Sequence, residues 1–285
     1  MKPIATVGVV GSGTMGRGIA ESALQAGLQV ILHDSSPDAL SAARKQIEAN
    51  LHRSVGKGQL PAQEASEYLG ALDPAADMGA LAGCQLVIEA VPEVLEVKLS
   101  VLAALEESVA GDVLIATNTS SIPITRLARA LGHPDRFIGL HFFNPVPRMP
   151  LVEVIRAVHS SDATVAAARQ FVAEALGKTP LVIEDRPGFV VNALLIPFLL
   201  AAARMLDSGY AEAEAIDDGM TLGCGHPMGP LKLADFIGLD VVCAAADAMY
   251  AQSPDPALVV PNNLRRLVDA GQLGAKTGRG FYDHR

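Results

Sequence analysis

Short aliphatic runs alternate with longer stretches of helical period through the first half of the chain. Strand-like runs, many of them rich in Val, Ile and Leu, fall at residues 6–10, 29–33, 86–89, 113–116, 137–140, 151–155 and 181–183. A helical pattern covers residues 15–26 and is closed by Gly27, and a long amphipathic one covers 37–55. This alternation predicts a mostly parallel sheet covered by helices. After Asp185-Arg186-Pro187-Gly188 the strand signal stops, and helical runs at 213–221, 231–250 and 263–270 take over. The expected architecture is therefore α/β over residues 1–185, followed by an all-α domain over 186–285.

The apolar run FVVNALLIPFLLAAARM, residues 189–205, is interrupted by Asn192, Pro197 and Arg204. It falls short of the ~20 apolar residues that cross a bilayer. A helix apolar on nearly every side is expected at the centre of a domain or at a subunit interface. Apolar helices in excess of what ~100 residues bury internally predict a homodimer built through the second domain.

Composition narrows the class. Of 285 residues, 50% are hydrophobic and 19% charged, enough for a large core. A formal charge of -9 argues against a nucleic-acid surface, which needs clustered Lys and Arg. Any anionic ligand must be met locally, and Arg44, Lys45, Arg53 and Lys57 face only Glu48 in one stretch. That stretch reads equally as an anion-docking face or as a solvated helix face. Cys84, Cys224 and Cys243 are too scattered for a disulfide framework or a zinc site, so no metal and a reducing cytoplasm are expected. The N-terminal segment passes from strand to glycine turn without the apolar region of a signal peptide.

The candidate chemistry begins at Gly11-Ser12-Gly13-Thr14-Met15-Gly16, directly after the first strand and opening the first helix. In that context GxGxxG is the dinucleotide-binding fingerprint of a Rossmann-type domain. Gly11 permits a tight turn, Gly13 lets backbone approach a pyrophosphate, and Gly16 lets the helix pack closely on the strand. Asp34 ends the second strand eighteen positions after Gly16, where it can accept ribose hydroxyls. Its charge would repel a 2′-phosphate and no Arg or Lys follows at once, so NAD is the expected cofactor. Glu89 and Glu93 of VIEAVPE end a further strand, with Lys98 shortly after.

A second constellation lies in HFFNPVPRMPLVEV, where His141 and Glu153 are twelve positions apart. An acid inside an aliphatic strand is either at an edge or partnered, and a carboxylate aimed at an imidazole favours its charged form. The pair also reads as a satisfied core histidine and an edge-strand acid.

With the fingerprint, Asp34, VIEAVPE, TNTSS, HFFNPVPRMPLVEV, GFVVN, HPMGP and KTGRGFYD in that order, the chain resembles the 3-hydroxyacyl-CoA dehydrogenases essentially end to end. It looks most like the short bacterial members acting on 3-hydroxybutyryl-CoA, with no hydratase-like extension. The resemblance implies NAD-dependent interconversion of (S)-3-hydroxyacyl-CoA and 3-oxoacyl-CoA. It implies that His141 is the general base and that Glu153 orients it. It places Ser120, the first Ser of TNTSS, by the reacting oxygen and the nicotinamide, and Asn192 of GFVVN on the substrate oxygen. Cofactor contacts would fall on the glycine loop, Asp34, Glu93, Lys98, Ser120, Asn144 and Lys276; Asn50 and Lys57 would meet the coenzyme A.

Read as residues alone, Ser120 also suits a cap for the helix beginning near Ile124, and Asn192 suits a buried amide satisfied by backbone. The family often carries Arg after GFVVN, whereas Ala193 stands here. Two other functions share these features: the same chemistry on a hydroxyacyl group carried by an acyl carrier protein, and a catalytically silent dinucleotide-binding protein. Retention of Ser120, His141, Glu153 and Asn192 together speaks against the second.

Overall fold

The computed structural model describes residues 4–285, which divide into two compact units, one ending at Asp185 and the other beginning at Arg186. The first unit is built on eight strands: β1 (Thr6–Val10), β2 (Gln29–His33), β3 (Leu72–Ala75), β4 (Leu86–Glu89), β5 (Leu114–Thr117), β6 (Phe137–Phe142), β7 (Leu151–Arg156) and β8 (Thr179–Glu184). They form one sheet in the order β3-β2-β1-β4-β5-β6-β7-β8. Every neighbouring pair is parallel except β6 with β7. Helices α1 (Thr14–Gln25), α2 (Pro37–Gly56), α3 (Ala62–Gly70), α4 (Leu95–Ser108), α5 (Ile124–Leu127) and α6 (Asp162–Gln170) accompany the strands.

The central strands are aliphatic on both faces because helices cover both, as in TVGVV of β1 and LVIE of β4. Such runs need no alternation to read as strands. β3, sequence LDPA, carries no comparable signal, since Pro74 and Asp73 are poor strand formers. It survives as the sheet's edge, where a missing backbone donor costs little. The run expected at 113–116 lies one residue later in β5, and β6 extends beyond 140 to Phe142, so that His141 is a strand residue.

The second unit contains α7 (Val191–Asp207), α8 (Ala213–Cys224), α9 (Pro230–Ile237), α10 (Leu239–Gln252) and α11 (Asn262–Asp269). Its core gathers Ile196, Leu199 and Leu200 of α7 with Val242, Ala246 and Met249 of α10. α7 buries one side only, and Leu194 keeps 72% of its surface exposed. The run expected as one helix over 231–250 is two, because Gly238 takes φ 106° between them, a value closed to most side chains.

Two buried carboxylates organise the unit's C-terminal hook. Asp217 accepts from the amides of Leu231 (2.8 Å) and Lys232 (3.0 Å) in the first turn of α9, and from the Tyr282 hydroxyl (2.9 Å). Burial, then that bond, pushes the Tyr282 phenol up. Asp235 accepts from the amides of Phe281 and Tyr282, both at 2.9 Å, and is 2.8 Å from Nε2 of His284. Asp235→Ala would strip these donors of their acceptor, and we expect a loss of about 3 kcal/mol in urea unfolding followed by circular dichroism. A loss below about 1 kcal/mol would show that the hook is held by packing alone.

Candidate active site

β1 delivers the chain into a turn at Gly11, whose φ of 101° and near contact with Ala90 leave no room for a side chain: a Cβ would stand 2.6 Å from the Ala90 carbonyl. At Gly16 a Cβ would come within 1.8 Å of the Gly11 carbonyl, so α1 lies directly on the turn. Gly13 differs, because nothing lies within 4 Å of where its Cβ would project. It is the N-cap of α1, with no side-chain capping bond and no acid in the first turn. Those first amides and the helix dipole therefore present uncompensated positive potential beside an open approach, which suits a pyrophosphate. Gly13 and Thr14 are exposed and Met15 is half-buried, whereas Gly11, Ser12 and Gly16 are buried beneath them.

Ser12, expected among the cofactor contacts, turns inward. Its amide (2.9 Å) and hydroxyl (2.7 Å) both donate to Oδ2 of Asp34, while the Ser36 amide (3.0 Å) donates to Oδ1. Burial works to raise the Asp34 pKa, but the Ser12 and Ser36 bonds and neighbouring His33 outweigh it and hold the carboxyl below the usual range. Asp34 is thus an oriented anion at the end of β2, able to accept ribose hydroxyls and hostile to a 2′-phosphate.

At the ends of β4 and β5 the acids of VIEAVPE build a polar network. Glu89, fully buried, accepts from the Val91 amide and Lys98 Nζ, both at 2.7 Å, through one oxygen and from the Thr117 hydroxyl at 2.6 Å through the other. Lys98 is 1% exposed and also lies 3.2 Å from Glu93. The opposite oxygen of Glu93 accepts from the Thr119 hydroxyl, the Ser120 amide (2.9 Å), and the amide (3.0 Å) and hydroxyl (2.9 Å) of Ser121. Although burial favours a higher Glu93 pKa, Lys98 and these hydrogen bonds hold it low.

Lys98, expected among the cofactor contacts, has Glu89, Glu93 and the Val91 carbonyl (3.3 Å) as protein partners of its ammonium. The alternative reading of Ser120 as a helix cap fails, because the N-cap of α5 is Pro123 and has no side-chain bond.

The antiparallel pair β6–β7 sets His141 directly opposite Glu153. Nδ1 of His141 lies 2.7 Å from Oε2 of Glu153, with the imidazole 6% exposed and the carboxylate fully buried. The edge-strand reading of Glu153 is excluded by its place between β6 and β8. The Phe143 ring packs 4.6 Å from the imidazole. Behind the pair, Asn118 accepts from the Phe142 amide at 2.9 Å and ties the end of β6 to the loop after β5. Lys178 donates to the carbonyls of Val146 and Met149, both at 2.8 Å, and staples the loop that carries exposed Asn144.

Two substrate-side expectations separate on α2. Asn50 donates to Glu21 at 2.8 Å and accepts from Gln46 at 3.1 Å, so its amide is occupied within the protein. Lys57 is exposed at the C-cap of α2. In the helical unit Asn192 is half-buried in the first turn of α7, just after Phe189, whose φ of 54° is unusual for a bulky residue. Lys276 belongs to the same unit and pairs with both oxygens of Asp240. Among the described residues no cluster of three or more His, Cys, Asp or Glu could hold a metal.

Sequence reasoning did not assign Thr117, Asn118, Thr119, Ser121 or Lys178. The run of hydroxyl and amide residues at the end of β5 was the available signal, since ligands meet parallel sheets at the strands' C-terminal ends.

The glycine turn opening onto an uncapped helix beside an oriented acid is the arrangement of a dinucleotide-binding domain. Family models agree: residues 6–186 match the 3-hydroxyacyl-CoA dehydrogenase NAD binding domain, and residues 188–284 match the C-terminal domain of the same enzymes. The chain belongs to the 3-hydroxyacyl-CoA dehydrogenase family, and NAD is its cofactor. It is 45% identical over 282 residues to a 3-hydroxybutyryl-CoA dehydrogenase of Mycobacterium tuberculosis, covering 99% of each. The crystal structure of FadB2 from that organism superposes with a TM-score of 0.98 at 44% identity, covering 100% of both chains. That of (S)-3-hydroxybutyryl-CoA dehydrogenase from Ralstonia eutropha gives 0.95 at 42%, covering 99% of this chain and 100% of the other.

A carboxylate at the end of the second strand opposes a 2′-phosphate, so Asp34→Asn is expected to narrow the ratio of kcat/KM for NADH over NADPH by at least about tenfold. An unchanged ratio in steady-state assays would mean that the ribose is read elsewhere.

Proposed function

We propose that this enzyme interconverts short (S)-3-hydroxyacyl-CoA and 3-oxoacyl-CoA, 3-hydroxybutyryl-CoA foremost, with His141 exchanging the proton. The observation that carries the reading is the 2.7 Å bond between His141 and buried Glu153, near the C-terminal end of a strand parallel to those bearing the glycine turn and Asp34. NAD, when bound, accepts the hydride from C3 of the substrate. With Nδ1–H donating to Glu153, the imidazole offers Nε2 to the 3-hydroxyl, and the carboxylate stabilises the imidazolium that forms. In reduction the same nitrogen returns the proton. The Ser120 hydroxyl donates to the reacting oxygen, where charge develops. Asn192 carries the same assignment from the family resemblance alone.

Exposed Lys57 supplies a positive charge for the phosphates of coenzyme A on a chain that is otherwise acidic. Asn144 and the loop amides at Gly13, Thr14 and Met15 are taken as cofactor contacts, and Lys276 as a softer one. Residues 186–285 act as the substrate-binding and dimerisation domain. Leu194, Tyr210, Leu222 and Phe236, between 66% and 85% exposed, leave this unit with apolar surface that a second copy would cover. Cys84 and Cys243 are buried free thiols whose pKa burial pushes up to about 11, consistent with a reducing cytoplasm. No helix among the described residues is long and apolar enough to cross a membrane.

Acetoacetyl-CoA should drive NADH oxidation, and His141→Ala should lower kcat ~10²- to 10⁴-fold while NADH binding survives. No turnover with any short 3-oxoacyl-CoA would reject the reading, and near-normal turnover of the variant would assign the proton to another group. The same assay on carrier-protein-linked substrate decides between the two carriers. In light scattering the protein should show twice the chain mass; a monomer at working concentration would contradict the dimer.

A further inference from the structure

Glu89 is a fully buried acid to which the proposed chemistry gives no part. It sits across the sheet from Thr117, its register partner, so the two residues head the adjacent loops that leave β4 and β5. One Glu89 oxygen accepts from Thr117 and the other from Lys98 and the Val91 amide, which ties both loop origins to α4. From Lys98 the chain of contacts continues to Glu93, and from Glu93 to Thr119, Ser120 and Ser121. We propose that Glu89 is a positioning residue for the reaction, holding the Ser120 loop in place through Lys98 and Glu93.

The distances give the direction of the effect. Lys98 lies 2.7 Å from Glu89 and 3.2 Å from Glu93, so Glu89 is the nearer counter-charge. Glu93 keeps one oxygen for the lysine and gives the other to the loop. Were Glu89 neutral, the buried ammonium would draw on Glu93 alone, because an unpaired charge in this environment is costly. The carboxylate that orients Ser120 would then be pulled toward α4, and its four bonds to the loop would loosen. Positioning errors of about 1 Å cost up to ~10²-fold in rate.

The inference rests on Ser120 meeting the reacting oxygen, and a double-mutant cycle separates the two claims. Turnover of acetoacetyl-CoA would be measured for the wild type, Glu89→Gln, Ser120→Ala and the double variant, with NADH affinity measured by fluorescence titration. We expect Glu89→Gln to lower kcat about 10- to 100-fold with NADH affinity changed less than about threefold, and to cost less than about twofold once Ser120 is Ala. A full effect in both backgrounds, or none in either, overturns the coupling while leaving the role of Ser120 intact. Wild-type kcat for Ser120→Ala alone overturns the role of Ser120 and this inference with it. If Glu89→Gln does not fold, the same cycle is run with Glu89→Asp, which keeps the buried pair charged and withdraws the carboxylate from Lys98 by one methylene. The same outcomes then apply.

Discussion

The bond between His141 and Glu153 exists because β6 and β7 pair antiparallel with those two residues in register. Around them the sheet is parallel, and a carboxylate at such an interior position is tolerated only with a partner. The side chains on either side of Glu153 are Val152 and Val154, both fully buried. A slip of one residue would turn Glu153 to the opposite face and bring a valine to the imidazole. Burial of the β7 aliphatics therefore enforces the register that orients the histidine, and core packing and site geometry are decided together. The next strand outward, β8, pairs Glu153 with Leu181 and keeps the acid away from a sheet edge.

Glu89 and Glu153 are both fully buried, and each ends in a different kind of partner. Glu153 faces an imidazole, a side chain suited to passing a proton during a reaction. Glu89 faces a lysine with its amine enclosed, and that pair can only hold a position. Placing the exchangeable partner on a strand and the fixed one beneath a loop matches what each region needs. A strand residue is already immobile, whereas a loop residue such as Ser120 needs bonds to be so.

Much of the sheet was legible because parallel strands covered on both faces are written as continuous Val, Ile and Leu runs, as at β1, β2 and β4. β3 was not, since Leu-Asp-Pro-Ala is held by its position beside β2 and not by its own preferences. The break at Gly238 was also hidden, because one glycine in a long apolar run reads as tolerated until its φ is known. At the site, His141, Glu153, Asp34 and the glycine turn could be read from residue type and spacing. What spacing could not reveal was commitment: that Ser12 is spent on Asp34, Asn50 on Glu21 and Lys98 on two acids follows from three-dimensional neighbours.

The first amides of the helices are met in different ways. α2 is capped by Ser36 and carries Asp38 in its first turn, and α6 is capped by Ser161 and carries Asp162. α9, which has no capping side chain of its own, receives the buried carboxylate of Asp217 on two of its first amides. In each case protein charge or a side-chain oxygen satisfies amides that would otherwise be orphaned. α1 has neither, although Asp34 lies close enough to bond the Ser12 amide one residue before the N-cap. That acid is turned to the side of the turn, toward Ser12 and Ser36, and does not cap the helix. A carboxylate placed at the cap would stabilise the isolated helix and compete with the pyrophosphate for the same amides. The N-terminus of α1 thus lacks the local stabilisation that a cap would add, while the nearby carboxylate of Asp34 is committed to Ser12 and Ser36.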